Sequence, residues 1–274
     1  MRPLRLIVFT LVTAAVGASA NAQTLYGGIG AGAATSQLYT INQTTAATTA
    51  LGNIGFGITG LAFRPSTGVL YGVTTSPRSL ITINTVTGAG TLIGATGGAI
   101  ADISFRSDGT LFGWFEPAAD DLVTINLTTG AMTTVGNAGL STAGSGLAFN
   151  AAGTLYFAGD DSGGDFRTVN TSTGLTTIVA TLSGGPFGEV AALAFHPVTD
   201  VLWGIVLNDP TATLVTINVA TGAITTIGSL PDGMDGLAFS PGAVPTMPEW
   251  LFFVIAMILV SGGFFAVRRR ARLA

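Results

Sequence analysis

The 274-residue chain has no cysteine and no lysine, one histidine, and charged side chains at only 9% of its positions. The first absence excludes disulfides and thiolate-held zinc as sources of stability, so an apolar core has to supply it. With His196 as the sole histidine, a nucleophilic triad has one available base, and a zinc site would rest almost wholly on carboxylates. No motif supports either, and no cofactor is expected. Low charge with scarce apolar residues would mean disorder, but 48% of this chain is hydrophobic and the pattern is periodic. What fills the chain instead is 39 glycines among Thr, Ala, Val and Ile, a mixture that suits strands and tight turns.

All ten basic residues are arginines, and six of them lie at the extreme ends: Arg2, Arg5, Arg268, Arg269, Arg270 and Arg272. The interior keeps Arg64, Arg78, Arg106 and Arg167 against thirteen acids, an excess of nine negative charges that repels nucleic-acid phosphates.

The two ends read as addresses. Arg2 and Arg5, an apolar run from Leu6 to Val16 and the small-x-small site Ala20-Asn21-Ala22 make residues 1–22 a signal peptide. Signal peptidase is expected to cut after Ala22; the alternative is an uncleaved anchor. Residues 251–267 carry no charge and, as a helix, would reach about 26 Å, close to a bilayer core. The arginines of residues 268–274 hold that end in the cytoplasm, and Trp250 suits the opposite interface, which places the intervening chain outside the membrane.

Residues 243–250 link the two parts and contain Val244, Pro245, Thr246, Met247, Pro248, Glu249 and Trp250. With the helix and the basic cluster, this motif resembles the IPTL-CTERM sorting domain, related in layout to PEP-CTERM. Val244 stands for the family's Ile, Met247 for its Leu, and Leu251 where Gly commonly follows the Trp. The resemblance covers about the last thirty residues and implies an exosortase-type transpeptidase as partner, cleavage near the motif and delivery to the bacterial cell surface. A plain membrane anchor is the other reading of the same segment.

Residues 23–242 repeat. The strings Gly60-Leu61-Ala62-Phe63, Leu70-Tyr71-Gly72 and Leu80-Ile81-Thr82-Ile83-Asn84 recur in fixed order, with Phe105, Phe149, Phe195 and Phe239 following Phe63 at spacings of 42, 44, 46 and 44 residues. Asn42, Asn84, Asn126, Asn170 and Asn218 mark the same turn in each unit, closed from the second unit on by Gly88, Gly130, Gly174 and Gly222. These asparagines therefore need no explanation as glycosylation sites. Four strands per unit of about 44 residues predicts an all-β, five-bladed β-propeller, with four or six blades as alternatives. The last unit holds only Gly236–Phe239, while the mature N-terminus begins with the missing strings, so both ends are expected to share one blade and close the ring. The arrangement resembles propellers of the quinoprotein and NHL-like kind, without a Trp-Asp signature. Tyr26, Tyr71, Phe112, Tyr156 and Trp203 recur once per unit and are expected to pack between blades.

Candidate chemistry is sparse. His196 falls in a turn position and reads as a turn residue rather than a base. Asp160, Asp161 and Asp165 form the densest acidic run and are weak calcium candidates, lacking an EF-hand's twelve-residue loop. Asp102 replaces the glycine found at Gly60, Gly146 and Gly236, and Glu189 and Asp235 lie close to the same place in other units. These three are expected near the channel mouth, as weak candidates for an acid–base pair or a metal site, or as independent loop residues. The favoured function is an exported, non-catalytic surface protein that binds a protein or glycan, or builds a surface layer, held to the membrane by its C-terminal helix before processing. The alternative is a secreted glycan or lactone hydrolase using the channel carboxylates, with or without calcium.

Overall fold

The structure is a computed structural model that describes residues 23–30, 35–116, 120–159, 164–186, 188–208 and 211–241. The segments expected to be a signal peptide (1–22) and a sorting motif (243–250), the apolar segment 251–267 and the terminal arginines lie outside the described residues. Twenty strands and no helix occur among the described ones. In chain order they are β1 (Leu25–Ile29), β2 (Gln37–Ile41) and β3 (Thr48–Asn53); β4 (Ile58–Phe63), β5 (Leu70–Thr74), β6 (Ser79–Ile83) and β7 (Gly90–Ala95); and β8 (Ile100–Phe105), β9 (Leu111–Phe115), β10 (Asp121–Ile125) and β11 (Met132–Asn137). They continue with β12 (Ser145–Phe149), β13 (Leu155–Gly159), β14 (Asp165–Val169) and β15 (Thr176–Thr181); β16 (Glu189–Phe195), β17 (Leu202–Asn208), β18 (Thr211–Ile217) and β19 (Ile224–Leu230); and β20 (Met234–Phe239).

These strands make five antiparallel four-stranded sheets, ordered β20-β1-β2-β3 and then each successive run of four. The shared sheet closes the ring: Leu25 pairs with Phe239, Tyr26 with Ala238 and Gly27 with Leu237. The all-β, five-bladed propeller expected from the repeat is thus the observed architecture, with β4, β8, β12, β16 and β20 as inner strands.

Two devices join neighbouring blades, and both come from the repeat. The second-strand aromatic of each blade meets the phenylalanine that ends the next inner strand: Tyr26 with Phe63, Tyr71 with Phe105, Phe112 with Phe149, Tyr156 with Phe195 and Trp203 with Phe239, at 5.3–5.9 Å between ring centres. These tilted and edge-on contacts add about 0.5–1.5 kcal/mol each beyond their burial.

The second device is backbone against backbone. Each outer hairpin carries a β-bulge, for instance between Leu80 and Ile81 where they face Gly94 and Leu92. The glycine beside it lies directly under the next blade's asparagine turn. A Cβ on Gly94 would sit 2.1 Å from the Thr129 carbonyl, and one on Gly130 would sit 2.4 Å from the Gly94 carbonyl. In the first unit the left-handed turn position is held by Ala46, at φ 59°, whose methyl is buried.

Candidate functional site

The antiparallel order gives the ring two unlike ends. At one, the turn end, lie the short connections after each inner and each third strand. In every asparagine turn the side-chain oxygen accepts two backbone N–H groups, as Asn126 Oδ1 does from Thr128 at 2.8 Å and Thr129 at 3.1 Å. His196 plays the same part, its Nδ1 accepting from Val198 and Thr199 at 3.2 Å, so it is the turn residue expected. Phe63, Phe105, Phe149, Phe195 and Phe239 ring a cavity of about 90 Å³ here. That is well below the ~300–1,000 Å³ of small-molecule sites.

At the other end, the loop end, the inner strands begin and the acids gather. Asp102 replaces the repeat's glycine on β8, and its carboxylate is enclosed among the inner strands rather than at an open mouth. It is fully buried; Oδ1 accepts from Ile103 N–H at 2.8 Å, and Oδ2 from Leu147 at 2.9 Å and Leu193 at 3.3 Å. One side chain thereby ties three inner strands, β8, β12 and β16. Burial pushes its pKa well above the usual carboxylate value, against the opposing pull of the three amides.

Asp235, second residue of β20, also has its pKa driven well up, first by burial and then by the charges of Glu189, Asp102 and Glu116. The structure thus brings the three sequence candidates into electrostatic reach of one another. It adds a member the repeat pattern did not reveal, Glu116, which follows β9. Ser145 Oγ donates to Glu116 Oε1 at 2.9 Å and Gly144 N–H to Oε2 at 3.3 Å. Burial nonetheless raises its pKa, reinforced by Asp120. Asp120, at 0% exposure, accepts from the Thr142 N–H and hydroxyl at 2.8 and 2.7 Å, and Thr142 Oγ1 lies 2.9 Å from Ser145 Oγ. Gly144 leaves space for Glu189: a Cβ there would fall 1.5 Å from Glu189 Oε1.

Among the described residues no group of three acids or histidines is placed to hold a metal ion. Of the acidic run, Asp160 and Asp161 lie outside the described residues, while Asp165 opens β14 and accepts from Arg167 at 2.7 Å. Glu116 and Asp120 escaped the repeat analysis because they sit in the β9–β10 connection, whose equivalents in the other units differ from it in length or in sequence. Their only sequence signal is the pair of acids flanking the short 117–119 segment.

The fold and this inner-strand arrangement define a five-bladed β-propeller repeat protein. Residues 141–244 match a family described as a repeat of unknown function, DUF6923. No curated protein matches the chain. Among solved structures the chain is similar to one in a nidogen/laminin complex, with 13% identity over 80% of this chain and 98% of that one and a TM-score of 0.55. It is also similar to TolB from Acinetobacter baumannii, with 12% identity over 80% and 67% of the two chains and a TM-score of 0.52. A protein of unknown function from Bacteroides thetaiotaomicron shares 15% identity over 82% and 66%, with a TM-score of 0.54. At these identities the likeness is one of fold.

Proposed function

We propose that the chain is an exported bacterial surface protein whose propeller binds a protein or glycan, or builds a surface layer, without catalysis, and which is sorted by an exosortase-type C-terminal signal. The observation that carries this reading is the tail itself: the Val244–Trp250 motif, seventeen uncharged residues and four arginines in close order. The course of the chain agrees with it. Thr24 and Ser240 bond to each other at the turn end, Thr24 N–H to Ser240 Oγ and Ser240 N–H to the Thr24 carbonyl, both at 2.9 Å. Pro241 lies at the turn end, so on this reading the acidic loop end is the one that would face away from the membrane and serve recognition. A non-catalytic role agrees with Asp102, whose two oxygens are both taken up by backbone amides.

The test is expression of the full-length chain with and without its exosortase, followed by mass and fractionation. A smaller product at the surface or in the medium only when the enzyme is present is the expected result. An unchanged membrane-bound product in both hosts reduces the tail to an ordinary anchor and removes the sorting half of the proposal.

A further inference from the structure

Glu116 and Asp120, on either side of residues 117–119, are joined by two hydroxyls in single file. Asp120 Oδ2 lies 2.7 Å from Thr142 Oγ1, Thr142 Oγ1 lies 2.9 Å from Ser145 Oγ, and Ser145 Oγ lies 2.9 Å from Glu116 Oε1. That makes three hydrogen-bond contacts, while each hydroxyl has one proton to give. With both acids ionised, Thr142 donates to Asp120 and Ser145 to Glu116, and the middle contact holds two oxygens together with no proton between them. A third proton on either carboxyl completes the file: that acid donates to its hydroxyl, and each hydroxyl donates onward to the other carboxylate. Ser145 is fully buried, and Gly159 packs over the two hydroxyls, where a Cβ would lie 2.8 Å from Ser145 Oγ and 3.3 Å from Thr142 Cβ; this leaves the acids as the source of the proton. Asp120 Oδ1, buried without a hydrogen-bond partner among the described residues, points the same way, since an unpartnered oxygen costs far less to bury in a neutral acid than in a carboxylate.

We propose that Glu116 and Asp120 share one proton at neutral pH through Ser145 and Thr142, and that this file is a proton-dependent latch between the β9–β10 connection and the entry to β12, the next blade's inner strand. The pair titrates as one unit, so the proton belongs to the file rather than to either residue. Burial, which raises the pKa of Glu116, and the charge of Asp120 beside it act in the same direction.

Other ionisable groups stand around the file. Strand β10 brings Asp121, which Asn137 Nδ2 bonds at 3.0 Å, and β16 brings Glu189, whose carboxylate lies against Gly144. The β13–β14 connection brings Asp160 and Asp161, outside the described residues, and β14 brings Asp165 and Arg167, which bond each other. Tyr156 on β13 faces Phe195, Asp102 on β8 holds three amides, and Arg78 is exposed between β5 and β6. Charge among them shifts the pH at which the third proton leaves but places no donor in the middle contact.

Linkage sets the sign. Unfolded, both carboxyls release their protons near about pH 4, whereas the folded pair keeps one. The stability so gained is complete below about pH 4 and falls about tenfold in the folding constant for each pH unit above it, until the folded pair itself lets go. The latch is independent of the export reading, and failure of sorting leaves it intact.

The experiment is denaturant unfolding of the full-length chain in nonionic detergent at pH 5 and pH 8, read by tryptophan fluorescence; Trp114 lies two residues from Glu116. Glu116→Gln carries its own donor, an amide N–H in place of the shared proton, so its loss of folding constant between the two pH values should be smaller than the wild type's by about tenfold or more. The infrared difference spectrum at neutral pH, wild type minus Glu116→Gln, should show the carbonyl stretch of a protonated carboxylic acid. Thr142→Val breaks the file and should shed the same pH dependence, while Thr142→Ser keeps the hydroxyl and should behave as wild type, which keeps the test open if Glu116→Gln does not fold. Equal pH dependence in wild type, Glu116→Gln and Thr142→Val overturns the proposal, as does a difference spectrum without the carboxylic acid band.

Discussion

The turn end and the loop end of the channel are built from the same five units, yet they obey different rules. At the turn end every blade does the same thing: an asparagine holds two amides, a phenylalanine ends the inner strand, and an aromatic ring leans on it. At the loop end the units part company. One has aspartate where three have glycine, another opens its inner strand with glutamate, and a third links two strands through a segment flanked by Glu116 and Asp120. Repetition serves closure, because each blade must fit its neighbour. Departure from the repeat is free to serve something else, and here it gathers carboxyl groups at one end.

That contrast can be broken from either side. The largest effect is expected at the loop end from Asp102→Ala, which leaves the amides of Ile103, Leu147 and Leu193 without their acceptor at about 1–3 kcal/mol each. Loss of a cooperative thermal transition at 37 °C would be the readout, and a change under 1 °C would refute this clamp. Next comes Gly130→Ala at the turn end. A left-handed alanine costs about 1–2 kcal/mol before its methyl meets the Gly94 carbonyl, so the variant should lose at least ~2 kcal/mol in chemical unfolding. Ala46→Gly in the first unit should change little, since strain relieved there is balanced by a buried methyl lost. The smallest is Asn126→Ala, about 1 kcal/mol, or roughly 2–4 °C in Tm by calorimetry. Asn84→Ala should match it if the five turns are equivalent.

Much of this was legible because it repeats. The phenylalanine spacing carries the blade count, and the split final unit carries the closure between β1 and β20. Asp102 stood out as an exception in a column of glycines. Its role did not, because two of the three amides it holds belong to β12 and β16 and meet it only when the ring is shut. Glu116 and Asp120 belong to no column, and their partners Ser145 and Thr142 lie in the following blade. The left-handed Ala46 also runs against local preference, and its burial against the Gly228 side of the ring accounts for it.

The pairing of Leu25 with Phe239 has a consequence in time as well as in space. Strand β1 is the first strand of the propeller to be made and β20 the last, so one edge of the first sheet waits while nearly the whole propeller is synthesised, for about 10–40 s at ordinary rates. During that interval a bare strand edge is a template for any other extended chain. A nascent molecule therefore depends on being escorted until its final strand arrives, and one cut short before Met234 would offer that edge for good.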